Sequence, residues 1–129
     1  MIGYAYVCAD LIHIGHLRFL ENCKIYCDEL TVGVLTDEAV MEKKPKPIIP
    51  FQQRIEMVEA LKVVDSVITQ ETYSPLPNVE MLRPDVLFES DSHTKEAIAE
   101  AEKIKEVIVI PYYKEQSSTK IKEKINELT

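Results

Sequence analysis

The chain has 129 residues, a formal net charge of −7, 46% hydrophobic and 29% charged residues, which is about one soluble globular domain on size and composition. No apolar run approaches the roughly 18–20 residues of a membrane span, "MIGYAYVCAD" lacks the basic flank and cleavage site of a signal peptide, and the acidic balance disfavours broad nucleic-acid binding while leaving room for a local anion site. The cysteines Cys8, Cys23 and Cys27, odd in number and without a CxxC pair, argue against a disulfide framework and for a reducing cytoplasm.

In chain order, "IGYAYVC" predicts a first strand. "HLRFLENCKIYC" has the three-to-four spacing of a helix, which makes Cys23 and Cys27 small residues of one helical face. "ELTVGVLT" predicts a second strand, apolar enough to be buried on both faces. "EAVMEKKPKPIIP" starts as a short helix and ends as a basic, proline-broken loop. "FQQRIEMVEALKVV" predicts an amphipathic helix with Pro50 at its start. "DSVITQ" is a third strand, "SPLPNVEMLR" a loop and short helix, "PDVLFE" a fourth strand, "HTKEAIAEAEKIK" a helix and "EVIVIPYY" a fifth strand. "SSTKIKEKINEL" closes the chain as a helix with a hydroxyl cap. This alternation predicts one α/β, Rossmann-like domain over residues 1–129, a five-stranded parallel sheet with helices on both faces. In such sheets ligands bind beyond the carboxyl ends of the strands, where the strand order reverses.

The loops after the strands therefore carry the candidate chemistry. "ADLIHIGH" holds His13 and His16 around Gly15, at the first turn from strand to helix. A helix N-terminus offers unpaired N–H groups and partial positive charge to phosphate. Two imidazole donors there would stabilise charge that builds up during phosphoryl or nucleotidyl transfer. Either histidine alone would read as an ordinary surface or loop residue. Lys43, Lys44 and Lys46, in a loop stiffened by prolines, form a candidate anion clamp. Arg54 on an amphipathic helix reads as a surface arginine with a buried stem. Ser117, Ser118 and Thr119 stand where the last helix begins, a plain N-cap or a phosphate site.

Taken together, "HIGH", "KPIIPFQQRIEMVEALKVVDSVI" and "SSTKIKEKI" resemble the HxGH nucleotidyltransferase superfamily, and within it the cytidylyltransferases. Class I aminoacyl-tRNA synthetases share the HxGH signature, but this chain is short for one and has no recognisable KMSKS segment. The resemblance covers nearly the whole chain. It leans toward glycerol-3-phosphate cytidylyltransferases and, through "ADLIHIGHL", "LTDEA" and "ITQET", toward the phosphonate-pathway cytidylyltransferase domains found beside phosphoenolpyruvate mutases. It implies transfer of CMP from CTP to a small phosphorylated or phosphonylated alcohol, with Mg²⁺ bridging the triphosphate and with a homodimeric assembly. His13, His16, Lys44 and Arg54 would be catalytic. Cys8, Ala9, Asp10, His13, Gly15, His16, Asp91, Ser117, Ser118 and Thr119 would bind the nucleotide, with Lys120 adding charge nearby. Lys44, Lys46 and Arg54 would bind the acceptor, with support of the active site as the alternative role for Arg54. Asp10 would hold the loop or help place Mg²⁺, whose ligands are otherwise the phosphates, and Asp37 would order its loop. The chain departs from the family at "YVCAD", at "ESDSH" where relatives read "HGDDW", and at Lys114-Glu115 where they read "EG". These departures leave the acceptor open. They also leave two alternatives: an adenylyltransferase acting on a phosphorylated metabolite, and a nucleotide-binding module without turnover.

Overall fold

The computed structural model describes residues 1–90, 95–103, 105–111 and 118–128. Among these the β-branched and aromatic runs form β1 (Ile2–Val7), β2 (Glu29–Leu35), β3 (Ser66–Gln70), β4 (Val86–Ser90) and β5 (Val107–Ile110). The helices are α1 (Ile14–Ile25), α2 (Asp37–Met41), α3 (Phe51–Glu59), α4 (Leu76–Leu82), α5 (Lys95–Glu102) and α6 (Ser118–Leu128). Tyr112 and Tyr113, read as the end of the fifth strand, lie outside the described residues.

All neighbouring strands are parallel and lie in the order β3-β2-β1-β4-β5. The order reverses between β1 and β4, where ligands are expected. Pairing there is short. β1 pairs with β2 over six positions but with β4 only at Gly3↔Val86 and Tyr4↔Leu87. The carboxyl-terminal halves of β1 and β4 are thus not joined by a ladder, and a crevice can open between them.

The period of two assigns the faces. Ala5, Val32, Val34, Val86 and Phe88 lie on one face with Leu20 and Cys23 of α1 and Val58 of α3. Tyr4 and Leu87 lie on the other with Val79 of α4 and Ala101 of α5. Helices therefore cover both faces, as the alternation predicts. Gly33 is required by the second face: a Cβ there would run into the Tyr4 hydroxyl. That hydroxyl donates to Gln70 Oε1 at 2.6 Å and accepts from Asn78 Nδ2 at 2.9 Å. Burial pushes the Tyr4 phenol up to about 12, so it stays a neutral donor.

One element is shorter than its pattern. The spacing "FQQRIEMVEALKVV" suggests a helix to Val64, and α3 ends at Glu59 with Ala60 as its cap. Leu61, Val63 and Val64 remain half-buried against the same core. They do so through tight turns, Leu61 N–H to Val58 O and Val64 N–H to Leu61 O, both 3.1 Å. Asp65 fixes this exit: its N–H donates to Leu30 O and its carboxylate accepts from Leu30 N–H and Lys24. Apolar positions at helical spacing report burial, and a turn can bury them as well as a helix does.

Candidate active site

A cavity of about 640 Å³ lies beyond the carboxyl ends of the central strands, its wall including Val7 at the end of β1, Cys8 just past it, Leu35 of β2 and Ser90 of β4. Just past β1 the backbone turns through Ala9, whose φ of 58° is left-handed. For a residue with a Cβ this costs about 1 kcal/mol. The turn sends Asp10 to His16 back across the strand end.

α1 begins at Ile14, two residues earlier than the "HLRFL" spacing suggests, and His13 is its N-cap. The two imidazoles form a capping box. His13 Nδ1 accepts from Gly15 N–H at 2.9 Å, and His16 Nδ1 accepts from the His13 N–H at 3.2 Å. Because each Nδ1 is an acceptor, each ring's proton sits on Nε2. The ring centroids are 4.2 Å apart and both residues line the cavity. Burial, helped by His13, holds His16 at about 4, and burial lowers His13 as well. At neutral pH the pair is therefore two neutral N–H donors. The first turn of α1 contains no acidic residue, so its partial positive charge is not cancelled locally.

This geometry changes one expectation. Backbone N–H groups of the first turn were to bind phosphate. The Gly15 N–H is instead taken by His13 Nδ1, and the His16 and Leu17 N–H groups by His13 O. The imidazole Nε2–H groups belong to two residues that both line the cavity.

Arg54 is also placed otherwise than its role as an acceptor and phosphate ligand requires. It is 0% exposed and does not line the cavity. Its Nε donates to Ile49 O at 3.0 Å, Nη1 to Cys8 O at 2.8 Å and Leu35 O at 2.7 Å, and Nη2 to Asp37 Oδ1 at 2.7 Å. The guanidinium ties Cys8, just past β1, and Leu35, the last residue of β2, to Ile49 after the basic loop and to the first turn of α2. The ligand role is therefore corrected: α3 buries Arg54 under the loop, and protein oxygens occupy its fork. Asp37 orders its loop by accepting this arginine.

Asp10 lines the cavity at 6% exposure. Its Oδ1 accepts from Ile49 N–H at 2.8 Å and its Oδ2 from the Lys122 ammonium. Burial alone would raise this carboxyl, but those bonds outweigh it and hold it below the usual carboxylate range. Among the described residues no group of three His, Cys, Asp or Glu could hold a metal. Both oxygens of Asp10 accept hydrogen bonds from within the protein.

Of the basic loop, Lys44 and Lys46 line the cavity, whereas the Lys43 ammonium lies 5.2 Å from the centroid of the Tyr73 ring. Cys8, Ala9 and Gly15 line the cavity too. Burial raises the Cys8 thiol, and the charge of Arg54 offsets this in part. Asp91 and Ser117 lie outside the described residues; Ser118, Thr119 and Lys120 are described only as backbone in the first turn of α6.

Residue reasoning passed over several wall residues. Tyr6 donates to Glu89 Oε2 at 2.8 Å; burial and the Glu89 charge push its phenol far up. Tyr73 is held by its N–H to Glu42 Oε2 at 3.0 Å and by its carbonyl, which accepts from Gln70 Nε2 at 3.2 Å. Lys122 and Asn126 of α6 also line the cavity. A carboxylate in the apolar run "VLFES" was the signal for Glu89 and hence Tyr6. Lys122 and Asn126, four apart on a helix, share a face. Tyr73, in a loop, left none.

The Cytidylyltransferase-like family model matches residues 4–124. The chain is 35% identical over 126 residues to the bifunctional protein HldE of Hyphomonas neptunium, covering 93% of this chain and 26% of that protein. It thus spans about a quarter of the HldE relatives. It is 43% identical over 94 residues to the FAD synthase of Archaeoglobus profundus, covering 72% of this chain and 60% of that one. A lipopolysaccharide core biosynthesis protein from Thermoplasma volcanium superposes with a TM-score of 0.78 at 26% identity, over 88% of this chain and 98% of that one. No described helix is long and apolar enough to cross a membrane. With a 3-2-1-4-5 parallel sheet, a paired-histidine first turn at its crossover point and these likenesses, the chain belongs to the Cytidylyltransferase-like family of the nucleotidyltransferase superfamily.

Proposed function

We propose that residues 1–129 act as one catalytic unit that transfers a nucleoside monophosphate from a nucleoside triphosphate to a small phosphorylated or phosphonylated acceptor. An anionic oxygen of the acceptor attacks the α-phosphorus in line. The bond from that phosphorus to the bridging oxygen breaks, and pyrophosphate leaves. No covalent enzyme intermediate is needed, so positioning and charge stabilisation supply the acceleration. The single observation that carries this reading is the interlocked His13–His16 pair, whose Nδ1 atoms are spent on the backbone and whose Nε2–H groups remain for a ligand. Neutral donors suit this task. They stabilise charge where it develops without repelling one another, and Lys44 and Lys46 supply full positive charge to the phosphates and the acceptor. Magnesium in this reading arrives on the triphosphate, where it neutralises phosphate charge.

The donor favoured by similarity is ATP: the FAD synthase relatives, 43–46% identical over 78–94 residues, are named for a product that contains an adenylyl group. CTP is the second reading, supported by the family's description and by "SSTKIKEKI". Thermal shift with magnesium and either nucleotide separates them, because a ligand of the folded state raises apparent stability. Pyrophosphate release with a panel of sugar phosphates, flavin mononucleotide, glycerol phosphate and phosphonates then tests turnover. Stabilisation by ATP with ATP-dependent release supports the first reading, and the same pair of results with CTP supports the second. Stabilisation without release from any acceptor points to a binding module. No response to either nucleotide overturns the proposal. A cytoplasmic homodimer is part of this reading; light scattering on the purified protein tests the assembly.

A further inference from the structure

Gln70, the last residue of β3, is 1% exposed and stands behind the cavity wall, yet its polar atoms converge on that wall. Its Oε1 accepts from the Tyr4 hydroxyl at 2.6 Å, and that hydroxyl accepts from Asn78 Nδ2 at 2.9 Å. Asn78 Nδ2 also donates to Thr69 O at 3.0 Å, so the phenol's one proton goes to Gln70 and fixes which way its amide points. Both amide protons are then turned to the loop: Nε2 donates to Thr72 O at 3.0 Å and to Tyr73 O at 3.2 Å. The backbone of Gln70 takes part as well. Its carbonyl accepts from the N–H of Thr36, the N-cap of α2, at 3.1 Å, and past the other end of α2 Glu42 Oε2 accepts from Tyr73 N–H at 3.0 Å. The bonds close a circuit, from Gln70 through α2 and Glu42 to the N–H of Tyr73, and from the carbonyl of Tyr73 back to Gln70. Tyr73, thus held at both backbone polar groups, lines the cavity and packs on Leu35, Ala39 and Val40. The Lys43 ammonium lies 5.2 Å from its ring centroid, and the next residue, Lys44, lines the same cavity.

We propose that Gln70 is a positioning residue for the acceptor: from behind the wall it sets where Tyr73 stands, and so the shape of the cavity beside Lys44. This rests on the nucleotidyl-transfer reading above and adds to it a residue that touches no ligand. A wall ordered before binding spares the acceptor the cost of ordering it. The triphosphate is assigned to the His13–His16 turn, whose capping bonds are separate from this circuit. Loss of Gln70 therefore falls on the acceptor and leaves the nucleotide's affinity in place.

The test uses the full chain and the variants Gln70→Leu, Tyr4→Phe, Tyr73→Ala and Gln70→Leu/Tyr73→Ala, each below its own melting temperature. The probe is the member of the acceptor panel above that the wild type turns over fastest, with the nucleotide it uses. kcat and acceptor KM come from pyrophosphate release, and affinity for the magnesium nucleotide from calorimetry. Gln70→Leu is expected to raise the acceptor KM about fivefold or more, with kcat and nucleotide affinity held within about twofold. In the Tyr73→Ala background the same substitution should change the acceptor KM by less than about twofold, because the residue through which Gln70 acts is gone. A merely structural Gln70 lowers the melting temperature in both backgrounds without that split. An unchanged acceptor KM in folded Gln70→Leu, a loss that falls on the nucleotide, or equal effects with and without the Tyr73 ring each overturn this inference and leave the transfer reading standing. Should Gln70→Leu not fold, Tyr4→Phe takes its place, since it keeps the amide and removes the hydroxyl that orients it. The acceptor KM should then rise about two- to threefold, and an unchanged KM overturns the inference. A wild type that turns over no acceptor of the panel overturns the transfer reading, and this inference falls with it.

Discussion

Arg54 and Lys44 carry the same charge at the same end of the sheet, and the fold uses them in opposite ways. Arg54 comes from inside α3, with no exposed surface, and four of its N–H groups donate to three backbone carbonyls and Asp37. Parallel strands end in carbonyls that no ladder satisfies, and a planar fork can collect several at once. Lys44 comes from a loop that Pro45 and Pro47 keep extended, and its ammonium stands at the cavity wall. One cation is spent on protein oxygens and the other stands at the cavity. The histidine pair does both at once, with Nδ1 turned inward and Nε2 outward. A basic residue near a phosphate site is therefore best judged by how many of its donors the protein has already used.

The sharpest way to break this comparison is Arg54→Met. It strands Cys8 O, Leu35 O and Ile49 O and leaves Asp37 unpaired. A loss of about 3–5 kcal/mol is expected, read as a fall in melting temperature of about 10 °C or more. A folded variant of normal stability with selectively lost acceptor binding would return Arg54 to the ligand role. His16→Ala should lower turnover by at least about a hundredfold, roughly 2.7 kcal/mol, the effect of removing one charge-stabilising donor. Its fall in stability should be smaller, about 1 kcal/mol for half a capping box. Near-normal pyrophosphate release in that variant would remove His16 from the mechanism. Gly33→Ala should cost about 1–3 kcal/mol by forcing Tyr4 off its partners, measured by urea unfolding, with little change in relative nucleotide affinity below the transition. Lys44→Met should raise KM for the anionic substrates several-fold at unchanged melting temperature, while Lys43→Met, whose ammonium lies over Tyr73, should do much less. Equal effects would erase the distinction drawn within the loop.

The smallest effect is the pH response of the free protein. His16 titrates at about 4 in the fold against 6.5 in the unfolded chain, so between those values the unfolded state binds more protons. Its neutral form therefore stabilises the fold fully above about 6.5, and that contribution fades as pH falls toward 4. His13, lowered in the same direction, adds to the slope. The melting temperatures of the wild type and His16→Gln should converge as the solution is acidified through this window. A bound triphosphate should raise the His16 pKa, since an anion favours the charged ring; NMR titration of the imidazole with and without nucleotide checks the sign.

Strand positions, helix order and sheet parallelism were all legible in the sequence, because the period of the apolar residues changes from two to 3.6 and back along the chain. The cavity was legible too. A ligand site beyond parallel strands is a consequence of topology, and "HIGH" falls after the first strand. Helix length was less legible at α3, where "ALKVV" carries helical spacing but folds as turns. The fate of Arg54 was not legible, since "FQQRIEMV" places an arginine on a helix without saying how deep that helix sits. Lys122 was harder still. It lies one helical position past Ile121 and 112 residues from Asp10, and nothing local couples them.

The sequence by itself determined which residue types stand after which strand, and so which chemistry the carboxyl end of the sheet would hold, because alternation and turn signals are local. Only the tertiary structure decided how each polar group divides its hydrogen bonds between the protein and the cavity. That division depends on which backbone carbonyls and N–H groups lie within about 3 Å of a side chain, and contacts between segments distant in sequence set those distances.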